Sequence, residues 1–290
     1  MKEKFEKHKL LILETIPPRS VTVKKYIRFC EMAINRGVDV IAITDLPMGK
    51  VKISPIAPAH VLCENNIDIL MHFTRTTRNI IRIEGDLLAA HMLGVNNILI
   101  LSGDDPSFGT YPFATRVDDL SIYELFKLVK LLNEGKDLAG NRICGNANFY
   151  FGGVFSLYEK AAEVTIERMN KKIKNGSSFF VSQPIMEPEI FLRFWDIARK
   201  TLLPTKLVLS LIVLESVERM MYFSTVPGIF IPSFYKNIND DNILYELSLE
   251  AIFNTIKLTY EIVSGYYITA TTKNLDTIEK IARYIKNFCS

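Results

Sequence analysis

The chain has 290 residues, 48% hydrophobic and 23% charged, which is ordinary for a globular protein with a sizeable core and permits two small domains or one large α/β barrel. Thirty-five basic residues against 32 acidic ones give a net charge of +3, too slight and too scattered to suggest a nucleic-acid or polyanion surface. The apolar run LLIL near the N-terminus is too short for a signal segment and no 18-residue apolar stretch occurs, so a cytoplasmic protein with no membrane partner is expected.

In chain order, strand-like apolar runs fall at 9–14, 38–44, 67–73, 97–103, 142–148, 178–183, 206–213 and 266–270. They are rich in Ile, Val and Leu without polar alternation, as parallel strands buried on both faces require. Helical patterns separate them, several ending in Gly or Asn. A long one at 241–265 forms an extra helix before the last strand, and 275–288 closes the chain. Eight such units predict one (β/α)8 TIM barrel spanning 1–290 as a single domain. An open doubly wound sheet is disfavoured, because ETIPPRS after the first strand is no GxGxxG turn. Residues 104–118 form a long polar and aromatic loop of the kind that tends to be functional.

In such a barrel the active site lies at the C-terminal ends of the strands. The first polar residues after each run are Glu14, Thr44 with Asp45, His72, Ser102-Gly103-Asp104, Asn146 with Asn148, and Gln183. Singly, each reads equally well as a cap or turn residue. Converging at six strand ends, they predict a pocket. Glu14 follows LLIL and precedes Pro17-Pro18, and an apolar setting of this kind favours the proton-holding form of a carboxyl, which suits a general acid. The bland alternative is a helix cap or a partner for Arg19. Asp104 follows a small-residue turn at which the backbone can approach a flat ligand, unless Gly103 serves only a left-handed turn. Gln183 offers a donor and an acceptor, suited to a pterin or amide edge. Neither a Ser-His-Asp nor a Cys-His set is visible. The cysteines Cys30, Cys63, Cys144 and Cys289 lack CxxC spacing and read as separate reduced thiols, and no histidine pair invites a metal.

At these same residues the chain resembles methylenetetrahydrofolate reductases. LETIPPRS (13–20) is similar to the family's first-strand motif, and AITDLPMGKVKISPIAPAH (42–60) to its TDNP-type turn. MHFTRTTRN (71–79) resembles HLTCRDRN, and EGDLLAAHMLGVNNILILSGDDP (84–106) is close to DLLGAHALGIRNVLALTGDPP. LLNEGKDLAG (131–140), KIKNGSSFFVSQP (172–184) and STVPGIFIPSF (224–234) follow in the family's order, in a branch often fused to a homocysteine methyltransferase. The resemblance implies that Glu14 is the acid that assists opening of the folate's five-membered ring. It implies that Asp104 lies beside flavin and pterin and helps stabilise a cationic iminium, and that Gln183 contacts substrate. Phe223 would stack on folate or nicotinamide, unless it is helix core. Thr44, Asp45, His72, Ser102, Gly103, Asp104 and Asn148 fall where the family holds flavin, and Lys172 where it could reach cofactor phosphates, unless it is a solvated face residue. The implied reaction passes hydride from NAD(P)H through FAD to a methylene-tetrahydropterin, in tetrahydrofolate interconversion and methionine biosynthesis.

Four departures cluster at the cofactor and substrate tail. The family's YPExHPEA segment has no counterpart in 146–163, and Ser102 replaces the usual arginine or threonine. SLIVLES (210–216) lacks a proline, and YYITATTKN (266–274) lacks the histidine of the eighth strand. They leave FMN, another deazaflavin-like carrier or no flavin as alternatives to FAD. They also leave a modified pterin as substrate, or a partner-dependent subunit, as alternative roles. Homo-oligomers through the apolar segment 242–263 are expected.

Overall fold

In the computed structural model, which describes residues 1–288 except Lys160, Pro227, Ala270 and Thr271, eight parallel strands close into a ring in chain order. They are β1 (Leu10–Thr15), β2 (Val40–Ile43), β3 (Ile69–Thr74), β4 (Asn97–Leu101), β5 (Tyr150–Phe155), β6 (Phe179–Ile185), β7 (Lys206–Leu211) and β8 (Gly265–Ile268). β1 and β8 close the ring by pairing Leu10 with Gly265 through Leu13 with Ile268. The helices of the outer layer are α1 (Lys24–Asn35), α2 (Ile56–Glu64), α3 (Ile80–Met92), α4 (Ile122–Asn133), α5 (Ala162–Lys174) and α6 (Pro188–Thr201). Between β7 and β8 run α7 (Val217–Phe223), the single turn α8 (Ser233–Lys236) and α9 (Asp241–Thr259), and α10 (Leu275–Asn287) follows β8. The expected (β/α)8 barrel with extra helix before the last strand is the observed architecture.

Strand alternation sorts the apolar residues into two layers. Leu11, Leu13, Ile41, Ile43, Met71, Phe73 and Leu209 pack outward against helices, whereas Leu10, Ile12, Val40, Ala42, Leu70, Leu99, Phe179 and Val181 fill the barrel. Below them a short turn, Lys4–Glu6, sets Phe5 against the rings of Tyr150 and Phe179 at 6.3 and 6.0 Å, and with Met1 plugs the bottom of the barrel. The inward series Leu10, Ile12 therefore continues into Glu14 at the top.

The fifth strand differs from expectation. It is 150–155, not 142–148, and the segment 146–163 compared with the family's post-strand motif contains the strand itself. Its two glycines explain the misplacement, because Gly is ordinarily depleted in strands. Here close packing demands them: a Cβ at Gly152 would lie 2.4 Å from the Phe179 carbonyl oxygen, and one at Gly153 would lie 2.8 Å from the Phe126 ring. The expected interface helix, α9, spends Leu244, Leu249, Ile252 and Ile256 on the core and leaves Ile243 and Leu258 exposed. Cys30 is buried, Cys63 half-buried and Cys144 exposed, all as free thiols, and Cys289 lies outside the described residues. Among the described residues no helix is long and apolar enough to cross a membrane, and no cluster of three or more ligating side chains could hold a metal.

Candidate active site

A cavity of about 520 Å³ opens at the C-terminal ends of the strands. Leu99, Leu101, Val154 and Val181 supply apolar wall, and Glu14, Thr44, Asp45, His72, Ser102, Gly103, Asp104, Gln183 and Phe223 all line it. Nine of the residues expected at the site are thus brought together.

All but Phe223, which ends α7, lie within a strand or just after one. Glu14 is the inward residue at the end of β1, and its Oε2 accepts a 2.6 Å hydrogen bond from the Tyr267 hydroxyl of β8. The same hydroxyl lies 2.9 Å from Nε2 of His72, on β3. His72 and Tyr267 are buried; desolvation lowers the imidazole pKa, favouring the neutral ring, and raises the phenol pKa well above its ordinary value. Gln183 sits where the register of β6 against β7 shifts between Val181 and Pro184, an irregularity that re-aims a side chain. Its Oε1 accepts from the Ser156 hydroxyl at 2.7 Å, and Gly228, with φ +85°, keeps open the space beside its amide nitrogen.

Asp45 lines the cavity with a carboxylate that is already occupied. Its Oδ2 accepts from the backbone and hydroxyl of Thr74 at 2.9 and 2.8 Å and from Arg78 at 2.7 Å, while Oδ1 accepts from Arg78 at 3.2 Å. Arg78 also donates to Asp86 at 2.9 Å, so this buried charge is paired and ties β2 to β3. Asp104 is more exposed, and its Oδ2 accepts from the Met48 N–H at 2.6 Å. Met48 belongs to a strap in which Leu46, Met48 and Gly49 all have left-handed backbone, strain of the sort stored around functional sites. Its sulfur receives the Tyr222 hydroxyl at 2.9 Å, so the strap reaches across the mouth to α7. The loop 104–118 supports it: Thr110 donates from its backbone to Gly49 O, and its hydroxyl oxygen accepts from Val51 N.

Two expected residues lie elsewhere. Asn148 is exposed and precedes β5, at the opposite end of the barrel from the cavity, because the strand begins later than its sequence suggested. Lys172 lies between α5 and the outside of the barrel wall, its Nζ donating to the Val154 carbonyl at 2.9 Å over the Phe126 and Phe180 rings. Burial brings its pKa down to about 8. Tyr267, Ser210, Met48 and Tyr222 line the cavity without having been expected there. The first two are inward positions within a strand, a signal that strict alternation would have supplied.

The apolar wall and the turn at Gly103 suit a planar heteroaromatic ring. No Lys or Arg is among the described residues lining the cavity, so the phosphates of a flavin nucleotide have no cationic partner inside it.

The family model described as methylenetetrahydrofolate reductase matches residues 1–286. Among solved structures, a protein from Clostridium thermocellum described as binding two copies of 5-methyl-5,6,7,8-tetrahydrofolic acid shares the fold at 14% identity and TM-score 0.68, covering 99% of each chain. A coenzyme F420-dependent tetrahydromethanopterin reductase from Methanopyrus kandleri matches at 10% identity and TM-score 0.62, over 98% of this chain and 100% of that one. A tryptophan synthase from M. tuberculosis matches at 8% identity and TM-score 0.52, over 97% and 94%. At such identities the likeness is one of fold. No curated protein sequence matches the chain.

Proposed function

The chain belongs to the methylenetetrahydrofolate reductase family, and from that premise we propose that it reduces a 5,10-methylene-tetrahydropterin to the 5-methyl form. The substrate is 5,10-methylenetetrahydrofolate or a relative with a modified carrier, a reading supported by one structural neighbour described as binding a methyl-tetrahydrofolate and another described as a tetrahydromethanopterin reductase. The observation that carries it is the convergence of Glu14, Asp104 and Gln183 on one partly apolar cavity at the strand ends. A binding scaffold has no need of that combination.

Glu14 is the general acid. It protonates the nitrogen that leaves the methylene carbon as the five-membered ring opens, and the cation so formed on the pterin is balanced by the Asp104 carboxylate. Gln183, held by Ser156, reads the polar edge of the pterin. Phe223, half-buried at the end of α7, offers a ring face to the substrate or nicotinamide. His72, Thr44 and the Ser102-Gly103 turn edge the space for a flavin ring, with Asp45 acting through Thr74 and Arg78. A flavin, when bound, supplies the hydride, and NAD(P)H is the upstream donor. FAD is the form the family implies. The cation-free lining favours a second reading, in which the hydride carrier is held loosely or supplied by a partner protein.

The test is spectroscopic and kinetic. Yellow protein whose flavin absorbance is bleached by NADH and restored by 5,10-methylenetetrahydrofolate supports the first reading. Colourless protein that gains activity only with a co-purifying partner supports the second. Glu14→Gln is expected to abolish restoration by the folate while leaving bleaching by NADH intact; equal loss of both steps would sink the role of Glu14.

A further inference from the structure

Tyr267 stands between two groups of the site and belongs to none of the expected roles. Its hydroxyl donates to Glu14 Oε2 at 2.6 Å and meets His72 Nε2 at 2.9 Å. A phenol has a single proton to donate. With that proton directed at Glu14, the hydroxyl oxygen accepts from His72, so the neutral imidazole carries its hydrogen on Nε2. The three side chains come from β1, β8 and β3, rigid strands of the ring, and β1 and β8 are paired neighbours with Ile12 opposite Tyr267. Nothing in the trio depends on a mobile loop.

We infer that Tyr267, oriented by His72, is a positioning residue that commits Glu14 Oε2 as an acceptor, so that the transferable proton is carried on the other carboxyl oxygen. The inference rests on the assignment of Glu14 as the acid. The donors run one way, from imidazole to phenol to carboxyl, and the arrangement serves both states of the acid. Before transfer, Oε2 accepts as the carbonyl oxygen of the carboxylic acid. After transfer, the same donor already points at the new carboxylate, and no side chain has to turn. Burial supports the direction: desolvation keeps His72 neutral and Tyr267 protonated.

Tyr267→Phe deletes one oxygen and keeps the ring. Assayed with NADH, FAD and 5,10-methylenetetrahydrofolate, the variant is expected to lose about 10- to 100-fold in kcat with KM little changed, the size of one hydrogen bond to a charged group. In protein labelled with nitrogen-15 at histidine, the His72 resonance is expected to report the Nε2–H tautomer and to lose that preference in Tyr267→Phe. Wild-type kcat in Tyr267→Phe, or an Nδ1–H tautomer in the native protein, would overturn the inference. A fully active Glu14→Gln variant would instead overturn the role of Glu14 itself, and the tautomer measurement would still report on the trio.

Discussion

Gly103 shows how tightly the edge of the cavity is built. Its φ is +90°, and a Cβ there would lie 2.4 Å from the Thr76 hydroxyl oxygen and 2.9 Å from Thr74 Cβ. Thr76 in turn donates to the Asp104 carbonyl at 3.1 Å, so an added methyl pushes on the residue assigned to balance substrate charge. Gly103→Ala is expected to cost roughly 1–3 kcal/mol in urea unfolding and to weaken substrate turnover as well. At this scale the sequence was readable where a polar residue follows an apolar run, as at Glu14, His72 and Gln183. It is less legible inside a run: alternation turns Tyr267 inward, but the residue reads as one more apolar strand position, and its hydroxyl's partner Glu14 lies far away in sequence. Asp45 is legible as a strand-end residue but its pairing is not, since its partner Arg78 lies 33 positions away and bonds both carboxylate oxygens.

At the scale of elements, β5 and α5 carry the lessons. Strand reading relies on branched and aromatic residues, so the glycine pair weakens the signal of YFGGVF and the stretch 142–148, irregular in the fold, reads as the strand in its place. Asn148 therefore lies before β5, at the end of the barrel away from the cavity. Lys172 was misplaced for a related reason: a basic residue in a last helical turn is compatible with a phosphate contact, and only the packing of α5 on β5 and β6 shows the amine turned to the wall. A lysine whose folded pKa is about 8 against an ordinary 10.5 binds fewer protons folded than unfolded within that window. Stability therefore rises with pH between the two values. Lys172→Met is expected to remove that rise in chemical denaturation while leaving flavin affinity, measured by fluorescence titration, unchanged. Loss of flavin binding in this variant would restore the phosphate role.

At the scale of the molecule, the chain's architecture was legible because eight buried runs alternating with helices have few ways to close. The plug beneath them was not, since Met1 and Phe5 sit in a polar, basic stretch that gives no periodic signal. Phe5→Ala is expected to destabilise by about 3 kcal/mol in thermal or urea unfolding, yet to leave turnover unchanged, because the cavity lies at the other end of the barrel. The ring itself has a further property. β8 bonds to β1 in the same parallel manner as every consecutive pair, and α10 lies against α1, with Arg36 reaching Asp276 and Glu279. The barrel accordingly has no seam, and chain order around it is a matter of bookkeeping. A circular permutant opened in the exposed turn between α4 and β5, at residues 139–145, with the old termini joined by a flexible linker, is expected to refold and to keep its catalytic end intact. A permutant that folds but binds no pterin would show that the strand ends need the original chain entry to hold their spacing.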